Sequence, residues 1–338
     1  MTVRELAKLI GVSPATISIV LNGKEGVSEE TRKKVLDAIK TYQYIPPARK
    51  SPNDRNVLLV KYYKSGMLVE ENQGFISMVI DSIAEQLRAR QLGMTMVVAK
   101  TGLESILDSI DCSKYCGMLL IATEFMEDDF ALLDSIPIPF VVVDNTVPNR
   151  SYSSVCMNNE ENVYIALQHC KECGHTEIGY LGSTTGAENF TERHNAFLKY
   201  VKQMGFQFES KNEFYVKPTF LGAHDDFIKI LEEKPLLPSC FFAANDTIAL
   251  GAIKALKEMG YKIPNDVSLI GFDDIPYSSI SSPALTTIHV QRKIIGKQSV
   301  IQLLQLIEDP RFVPMKTKIT GKLVVRASIK DWTKEPYA

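Results

Sequence analysis

From residue 57 onward, short apolar stretches typical of strands alternate with amphipathic stretches typical of helices. One amphipathic stretch carries Phe75, Val79, Ile83 and Leu87 on a single helical face. Continuous apolar strands that alternate with such helices indicate parallel sheets covered by helices on both sides. About 280 residues follow this pattern, which is more than one core accommodates, so we expect two doubly wound α/β lobes. The strand-like stretches are VLLVKYY, MTMVVAK, GMLLIA, PFVVVD, EIGYLG, SCFFAAND and DVSLIGFDD.

The residues before this region follow a different pattern, with three short helical stretches separated by glycine and serine. We expect Gly11 to end the first helix in a left-handed conformation, Ser13 to cap the second, and Pro14 to occupy its first position. A third helix is predicted over 31–42, with three apolar side chains facing inward: Val35, Leu36 and Ile39. Two short helices joined by a tight turn and braced by a third are typical of a helix-turn-helix unit. The sequence therefore predicts a small all-α head at 1–46.

Charge is unevenly divided between this head and the rest of the chain. Residues 1–55 hold ten Lys or Arg and six Asp or Glu, whereas the whole chain has a formal net charge of -2. A basic head on an acidic body suggests that the head binds a polyanion. A linker is expected at 47–56, and the α/β body at 57–338.

Two further features bear on the compartment. The first residues, MTVRELAK, contain no apolar core of a secretory signal, and no apolar stretch reaches bilayer length. We therefore expect a cytoplasmic, nucleoid-associated protein without a membrane partner, in which the six cysteines stay reduced.

HCKECGH at 169–175 is similar to a metal or redox motif, but Cys170 and Cys173 lie in a helix-period stretch and are interpreted as small buried apolar residues. No metal site and no cofactor are predicted.

The predicted second helix of the head carries small polar side chains on the face opposite its apolar stripe. In a helix-turn-helix, the first residues of this helix meet base edges in the major groove, and hydroxyl groups bind phosphates. The alternative is a small helical bundle used for protein contact, but the basic charge favours double-stranded DNA. The candidate DNA contacts here are Ser13, Pro14, Ala15, Thr16, Ser18, Ile19 and Asn22.

Polar side chains follow the predicted strands of the body, where open α/β sheets bind their ligands. Carboxylates, amides and the guanidinium of Arg193 suit a polyhydroxylated ligand, and Phe75 and Phe190 can cover the apolar face of a sugar ring. The alternative is that these residues are helix caps and loop polar groups, positions that Asp and Asn favour. The candidates that follow strands are Glu124, Asp144, Asn245 and Asp273.

Several short motifs lie along the head: Gly-Val-Ser at 11–13, Leu-Asn-Gly at 21–23, Val-Ser at 27–28, Thr-Arg at 31–32, and Tyr44 with Pro46. In these motifs the head closely resembles that of the lactose-repressor/galactose-repressor (LacI/GalR) family of bacterial transcription regulators. This resemblance implies a DNA-binding repressor, for which Thr2, Arg32, Tyr44 and Arg49 are further candidate DNA contacts.

Two positions of the head depart from the family pattern. Ile19 stands where members usually carry arginine, which recognises guanine through two hydrogen bonds, so we expect Ala15 and Ile19 to prefer thymine methyl groups. In the linker, Ser51 and Pro52 stand where the family has a leucine that kinks the DNA from the minor groove. Because Pro52 opposes helix continuation, this leucine mechanism is not expected here.

The body resembles the effector-binding body of the same family, which is itself similar to periplasmic sugar-binding proteins. The motifs are GHTEIGYLG, ANDTIALGAIKALKEMGYKIPNDVSLIGFDD and PALTTI. The resemblance implies effector contacts at Asp144, Arg193, Asn245 and Asp273, and the departure HVQR brings Arg292 toward the cleft, toward an anionic ligand or Glu124. It also implies two lobes joined by three crossover segments. One lobe is expected at about 57–158 with 289–318, and the other at about 159–288 with 319–332.

These observations predict a homodimeric repressor controlled by a small effector, expected to be a sugar or sugar derivative. The alternative is a corepressor-dependent regulator with a purine-like or other non-sugar ligand. A solute-binding receptor for transport is disfavoured by the head, and an enzyme by the lack of a catalytic triad, phosphate loop or metal set in the sequence. The dimer surface is expected on 75–91 and 223–231, and the short C-terminal segment after the body predicts a dimer rather than a tetramer.

Overall fold

The computed structural model describes residues 3–21, 26–42, 56–68, 74–100, 102–309 and 311–334. The chain divides into two compact units, 1–52 and 53–338, and each is described by itself. Of the predicted linker, only Asn56 lies within the described residues. None of the helices in these ranges combines the length and the apolarity needed to cross a bilayer.

The first unit contains three helices: α1 Val3–Ile10, α2 Pro14–Leu21 and α3 Glu29–Thr41. Gly11 follows α1 with a φ of +66°, and the Thr16 amide donates to Ser13 Oγ at 3.0 Å, so the predicted stop and cap are confirmed. Ser28 caps α3, which therefore begins two residues earlier than predicted.

A small apolar core holds the three helices of the head together. It consists of Leu6, Ala7, Ile17, Val20, Val35 and Ala38. The prediction that Leu36 faces inward was wrong, because its side chain is 44% exposed. Val35 and Ala38 lie three residues apart and share the inner face, whereas Leu36 is rotated about 100° from Val35.

The second unit alternates strands and helices. Its strands are β1 Asn56–Tyr62, β2 Gly93–Ala99, β3 Gly117–Ile121, β4 Phe140–Val143, β5 Ser154–Met157, β6 Gly179–Ser183, β7 Glu213–Val216, β8 Cys240–Ala243, β9 Ser268–Ile270, β10 Thr287–His289, β11 Lys316–Ile319 and β12 Lys322–Val324. Its helices are α4 Phe75–Ala89, α5 Leu103–Ser109, α6 Asn159–Glu172, α7 Glu188–Met204, α8 Phe220–Glu232, α9 Asp246–Glu258, α10 Pro276–Ile280 and α11 Arg292–Glu308.

The strands form two parallel sheets, as predicted. The first sheet has the order β11-β5-β4-β3-β1-β2, and together with α4, α5 and α11 it is called the first lobe. The second sheet has the order β7-β6-β8-β9, and together with α6 to α9 it is called the second lobe. The antiparallel pair β10 and β12 lies beside β9.

The side chains of β1 alternate between the two faces of its sheet, and both faces are covered, which explains its apolar run at 57–60. Val57 and Leu59 join the core beneath α4, whereas Leu58 and Val60 join a separate apolar cluster on the other side of the sheet. All four side chains are fully buried. A strand covered on both faces has no solvent side, and its sequence therefore lacks polar alternation.

The chain crosses between the two lobes three times, as the family resemblance implied. The first crossing is 157–159, after β5, the second is 289–292, after β10, and the third is 319–322, after β11. The strand β5 was not predicted from the sequence, and it follows β4 through a loop rather than a helix.

Candidate effector site and DNA-reading head

A small cavity lies where the carboxyl ends of both sheets meet. Its volume is about 20 Å³, which is room for about one water molecule. A ring-sized effector therefore requires the surrounding groups to move apart. The cavity is lined by Leu68, Phe75, Thr123, Asp144, Met157, Asn189, Phe190, Arg193, Asn245 and Asp273.

The structure brings six of the eight residues proposed from sequence to this cavity. Asp144 directly follows β4, Asn245 lies two residues beyond β8, and Asp273 lies three residues beyond β9. Phe190 and Arg193 come from the first turns of α7, and Phe75 begins α4. Their contact with an effector remains a prediction.

Asp144 is a polar group of this cavity with an unused acceptor atom. It is fully buried, and its Oδ2 accepts a hydrogen bond from Thr123 Oγ1 at 2.6 Å. Its Oδ1 has no hydrogen-bond partner within the described part of the chain. Burial raises the pKa of Asp144 to about 6, against the opposing effects of Thr123 and the Arg193 charge. The unused oxygen can accept a hydrogen bond from an N–H or O–H group of a ligand.

Arg193 lines the cavity and is already held by the protein. Its guanidinium lies 3.8 Å from the ring centroid of Phe272, a cation–π contact. Its Nη1 donates to the Ala244 carbonyl at 2.5 Å, and its Nη2 lies 3.5 Å from Asp273 Oδ1. An effector that binds Arg193 must therefore replace some of these contacts.

Asn245 combines the two roles that the sequence left open. Its Oδ1 accepts from the Ile248 amide at 2.9 Å and caps α9, as the helix-cap alternative predicted. Asn245 also lines the cavity, so its amide nitrogen is the group available for a ligand.

Glu124 does not line the cavity, in contrast to the prediction. Its carboxylate accepts backbone N–H bonds from 64, 65, 66 and 68 at 2.7 to 3.0 Å. Burial acts to raise the pKa of Glu124, but these four donors outweigh it and lower the pKa. Glu124 therefore fixes the loop that carries Leu68 to the cavity wall.

Arg292 also differs from the prediction, because it does not pair with Glu124 and does not itself line the cavity. Its Nη1 and Nη2 donate to the carbonyls of Asp273 and Asp274 at 3.1 and 3.0 Å. Its guanidinium lies 5.8 Å from the ring centroid of Phe75. Arg292 thus contacts two residues of the cavity lining, Asp273 and Phe75. Because its guanidinium is used in these contacts, its charge does not by itself favour an anionic ligand.

Four lining residues were not among the eight effector candidates proposed from sequence. Thr123 follows β3 and obeys the same carboxyl-end rule as Asp144. Asn189 lies four residues before Arg193 and so shares its helix face. Leu68 and Met157 carry no sequence signal, because a buried aliphatic side chain looks the same at a cavity and in a core.

The cysteines of HCKECGH are buried, as predicted. Cys170 Sγ lies 3.7 Å from Cys240 Sγ inside the second lobe. The described residues contain no group of His, Cys, Asp or Glu side chains arranged to hold a metal ion.

In the head, Ser13, Pro14 and Ala15 are exposed at the start of α2, whereas Thr16 and Ile19 are half-buried. The Ser13 and Thr16 hydroxyls lie 2.9 Å apart, so both belong to the cap as well as to the exposed face. Arg32 forms an ion pair with Glu29 at 3.8 Å on α3. The candidates that lie outside the described residues are Thr2, Asn22, Tyr44, Arg49 and the side chain of Ser18.

Two family models match the chain in the arrangement that the fold shows. The model of bacterial regulatory proteins of the lacI family matches residues 2–47, and that of the periplasmic binding protein-like domain matches 167–329. Two solved structures share the fold of nearly the whole chain. They are a transcriptional regulator CelR–cellobiose complex (TM-score 0.73, 23% identity, 97% of this chain and 99% of that one) and a lac repressor dimer bound to operator and the anti-inducer ONPF (TM-score 0.72, 22% identity, 98% and 99%).

Similar proteins of known name extend the likeness to the full length. The HTH-type transcriptional repressor PurR of Mannheimia succiniciproducens is 30% identical over 342 residues, covering 97% of this chain and 98% of its own. The PurR repressor of Haemophilus influenzae is 31% identical over 341 residues, which cover 98% of this chain and 99% of its own. The chain therefore belongs to the lacI family of bacterial regulatory proteins, and it is a DNA-binding transcriptional repressor rather than an enzyme.

Proposed function

We propose that this repressor acts as a homodimer on a two-fold symmetric operator, under the control of a small effector bound in the cavity between the lobes. The observation that carries the proposal is the meeting of Asp144 from the first lobe with Arg193, Asn245 and Asp273 from the second. A ligand that bridges these groups favours one arrangement of the lobes, and it changes operator affinity only as far as it prefers that arrangement. Because the target is chromosomal DNA, we place the protein in the bacterial cytoplasm with the nucleoid.

We infer that the effector is a purine-like corepressor, in place of the sugar expected first. The name PurR of the full-length relatives suggests a purine-related ligand. The cavity supports this class, since Phe75 and Phe190 can flank a planar ring while Asp144 Oδ1 accepts from a ring N–H. Arg193 can donate to a carbonyl oxygen or ring nitrogen of the same ligand.

The test uses the full chain, with calorimetric titration of guanine and hypoxanthine against a panel that includes cellobiose and other sugars. An operator is first selected from random DNA in the presence of each ligand pool. We expect a purine to bind and to raise operator affinity, and Arg193→Gln to abolish that binding. Arg311→Gln is the matched control, because the side chain of Arg311 is 91% exposed and far from the cavity lining. A sugar that binds in place of the purines overturns the ligand class.

The surface proposed for the second copy is a groove on the second lobe, between α8, α9 and α10. Its volume is about 760 Å³, and its walls include Phe220, Leu250, Ile253, Tyr277 and Ile280. Tyr277 is 54% exposed and Ile280 is 75% exposed, which is unusual for side chains of this size. A two-fold operator requires two joined heads, so a second copy is the partner that this apolar surface fits best.

A further inference from the structure

One face of α7 contacts the first crossing between the lobes directly, and it is linked to the second through Asp273 and to the third through Lys318 at the end of β11. Asn189, Glu192 and Arg193 are spaced by three and four residues, so their side chains leave the helix on the same side. Asn189 and Arg193 line the effector cavity, whereas Glu192 does not. Glu192 lies instead in a neighbouring groove of about 230 Å³, which it shares with Lys318.

At the first crossing, Asn159 joins all three residues of this face. Its Nδ2 donates to Asn189 Oδ1 at 2.8 Å and to Glu192 Oε2 at 2.7 Å. Its Oδ1 accepts from Arg193 Nε at 2.9 Å. Asn159 is fully buried, so each of these bonds is shielded from water.

At the second crossing, the link runs through Arg193. Its guanidinium pairs with Asp273 in the second lobe, and the Asp273 carbonyl accepts from Arg292 at the start of α11. Since α11 covers the first sheet, this chain of contacts joins the lobes.

At the third crossing, the link is an ion pair. Lys318 Nζ lies 3.0 Å from Glu192 Oε1, and Lys318 belongs to β11 of the first sheet. The pair therefore connects the first lobe to α7 of the second. Asn158, whose amide donates to the Ile319 carbonyl at 2.9 Å, ties the first crossing to the third.

We propose that Glu192 is a positioning residue that couples the effector cavity to the third crossing, through Asn159 on one side and Lys318 on the other. An effector that draws the Arg193 guanidinium toward itself weakens the bond from Arg193 to Asn159. Asn159 and Glu192 then reorient together, and the Glu192–Lys318 pair between the lobes changes with them. This inference rests on the proposed function insofar as the effector binds at Arg193.

The first experiment needs no effector. Glu192→Gln keeps an oxygen that can accept from Asn159 but removes the charge facing Lys318. We expect amide hydrogen exchange at 316–321 and at Asn158 to become about fivefold faster, with β8 and β9 unchanged. Lys318→Met should give the same result, and the double variant should add nothing to either.

The matched control is Glu160→Gln. Glu160 lies in the same groove and pairs with Lys199, but both residues belong to the second lobe, so this pair does not cross between the lobes. The Glu160 charge also acts on Lys318 through space, but its ion pair is with Lys199. We therefore expect exchange at 316–321 to accelerate by well under half as much as in Glu192→Gln. Equal exchange in Glu192→Gln and wild type, or equal acceleration in both variants, overturns the proposal.

The second experiment measures coupling on the full-length dimer with guanine as the probe. In Glu192→Gln we expect the guanine affinity of the operator-free protein to stay within about twofold of wild type, while the ratio of operator affinities with and without guanine falls by about fivefold or more. A reduced guanine affinity with an unchanged ratio contradicts the positioning role. If wild type shows no response to guanine, the ligand class fails, and the exchange experiment still decides the role of Glu192.

Discussion

At the scale of a single residue, Asp144 is a buried carboxylate in the cavity lining with one unused oxygen. Its Oδ2 accepts from Thr123, and its Oδ1 has no partner among the residues that the structure describes. A buried acceptor left unpaired costs free energy, about 1–3 kcal/mol for a typical polar group. The residue also has a φ of +64°, a left-handed conformation that aspartate tolerates better than most residues. Such a group is typical of a binding site rather than of a structural core.

The raised pKa of Asp144 predicts a pH-dependent stability. Because the folded-state pKa is about 6 and the ordinary value is 3.8, the native state binds the proton more tightly than the unfolded state. Asp144 thus contributes stability below pH 4 that is lost as the pH rises through 6. When the pH is raised from 5 to 7.5, the free energy of unfolding of Asp144→Asn should increase by about 1.4 kcal/mol relative to that of wild type. The measurement is urea unfolding without effector. Asp246 has a similarly raised pKa but is present in both proteins, so its contribution cancels. A difference that does not change with pH contradicts this assignment.

The site residues were predictable where topology alone decides their position. Asp144, Asn245 and Asp273 follow strands of a parallel sheet, and the carboxyl ends of such strands meet at one edge. Glu124 obeys the same rule, yet its carboxylate turns to backbone donors nearly 60 residues earlier in the sequence. Arg292 likewise is directed by the carbonyls of 273 and 274. Neither contact leaves a periodic or motif signal, so the direction of these side chains could not be predicted.

At the scale of the element, continuous apolar stretches were predictable, and short strands with polar residues were not. The helix α4 and the strand β1 have enough residues for their pattern to show, and both were predicted closely. The strands β4 and β8 have only four residues each, but these are all apolar, and both strands were predicted. The missed strands β5, β7 and β12 begin with serine, glutamate and lysine, so their pattern does not stand out from loops.

The helix α2 depends on a cap that can be tested without DNA. Ser13 Oγ accepts the Thr16 amide at the start of the helix, and the helix has only eight residues. Replacing such a cap by alanine costs about 1 kcal/mol. In Ser13→Ala we expect the amides of α2, among them that of Ile17, to exchange about fivefold faster.

Ser13→Asp is the matched control for this change, because aspartate also caps helix N-termini. Its exchange rates should stay near those of wild type, while its added charge should weaken binding to DNA phosphates. Slow exchange in Ser13→Ala would show that the core of Leu6, Ile17 and Val35 holds the helix without its cap.

At the scale of the whole molecule, the dimer surface expected on 75–91 and 223–231 stays a prediction, and the structure bears on the apolar residues of 223–231. The apolar side chains Ala223, Phe227 and Leu231 of that segment are buried in the core of the second lobe. Exposed apolar side chains lie nearby, at Leu221 of α8 and around the neighbouring groove at Tyr277 and Ile280. The periodicity of α8 indicated an apolar face but not whether its own lobe or a second copy covers it.

The dimer proposal predicts a strong effect of one charge in this groove. Ile280→Asp places a carboxylate on the proposed contact surface, where two copies meet and water is excluded, so association should be lost. We expect sedimentation to show a monomer at micromolar concentration. Operator affinity should fall about a hundredfold, because the second head no longer binds at the high effective concentration that the dimer provides.

Leu236→Asp separates this effect from a general effect of surface charge. Leu236 is 82% exposed and lies outside the groove, in the loop before β8. The Leu236→Asp variant should sediment as a dimer, as wild type does, and bind operator with wild-type affinity. If Ile280→Asp remains a dimer with wild-type operator affinity, the two heads are joined through another surface. If Ile280→Asp becomes a monomer yet binds operator as wild type does, the operator affinity does not depend on two joined heads. The proposal that a dimer recognises a two-fold symmetric operator is then wrong.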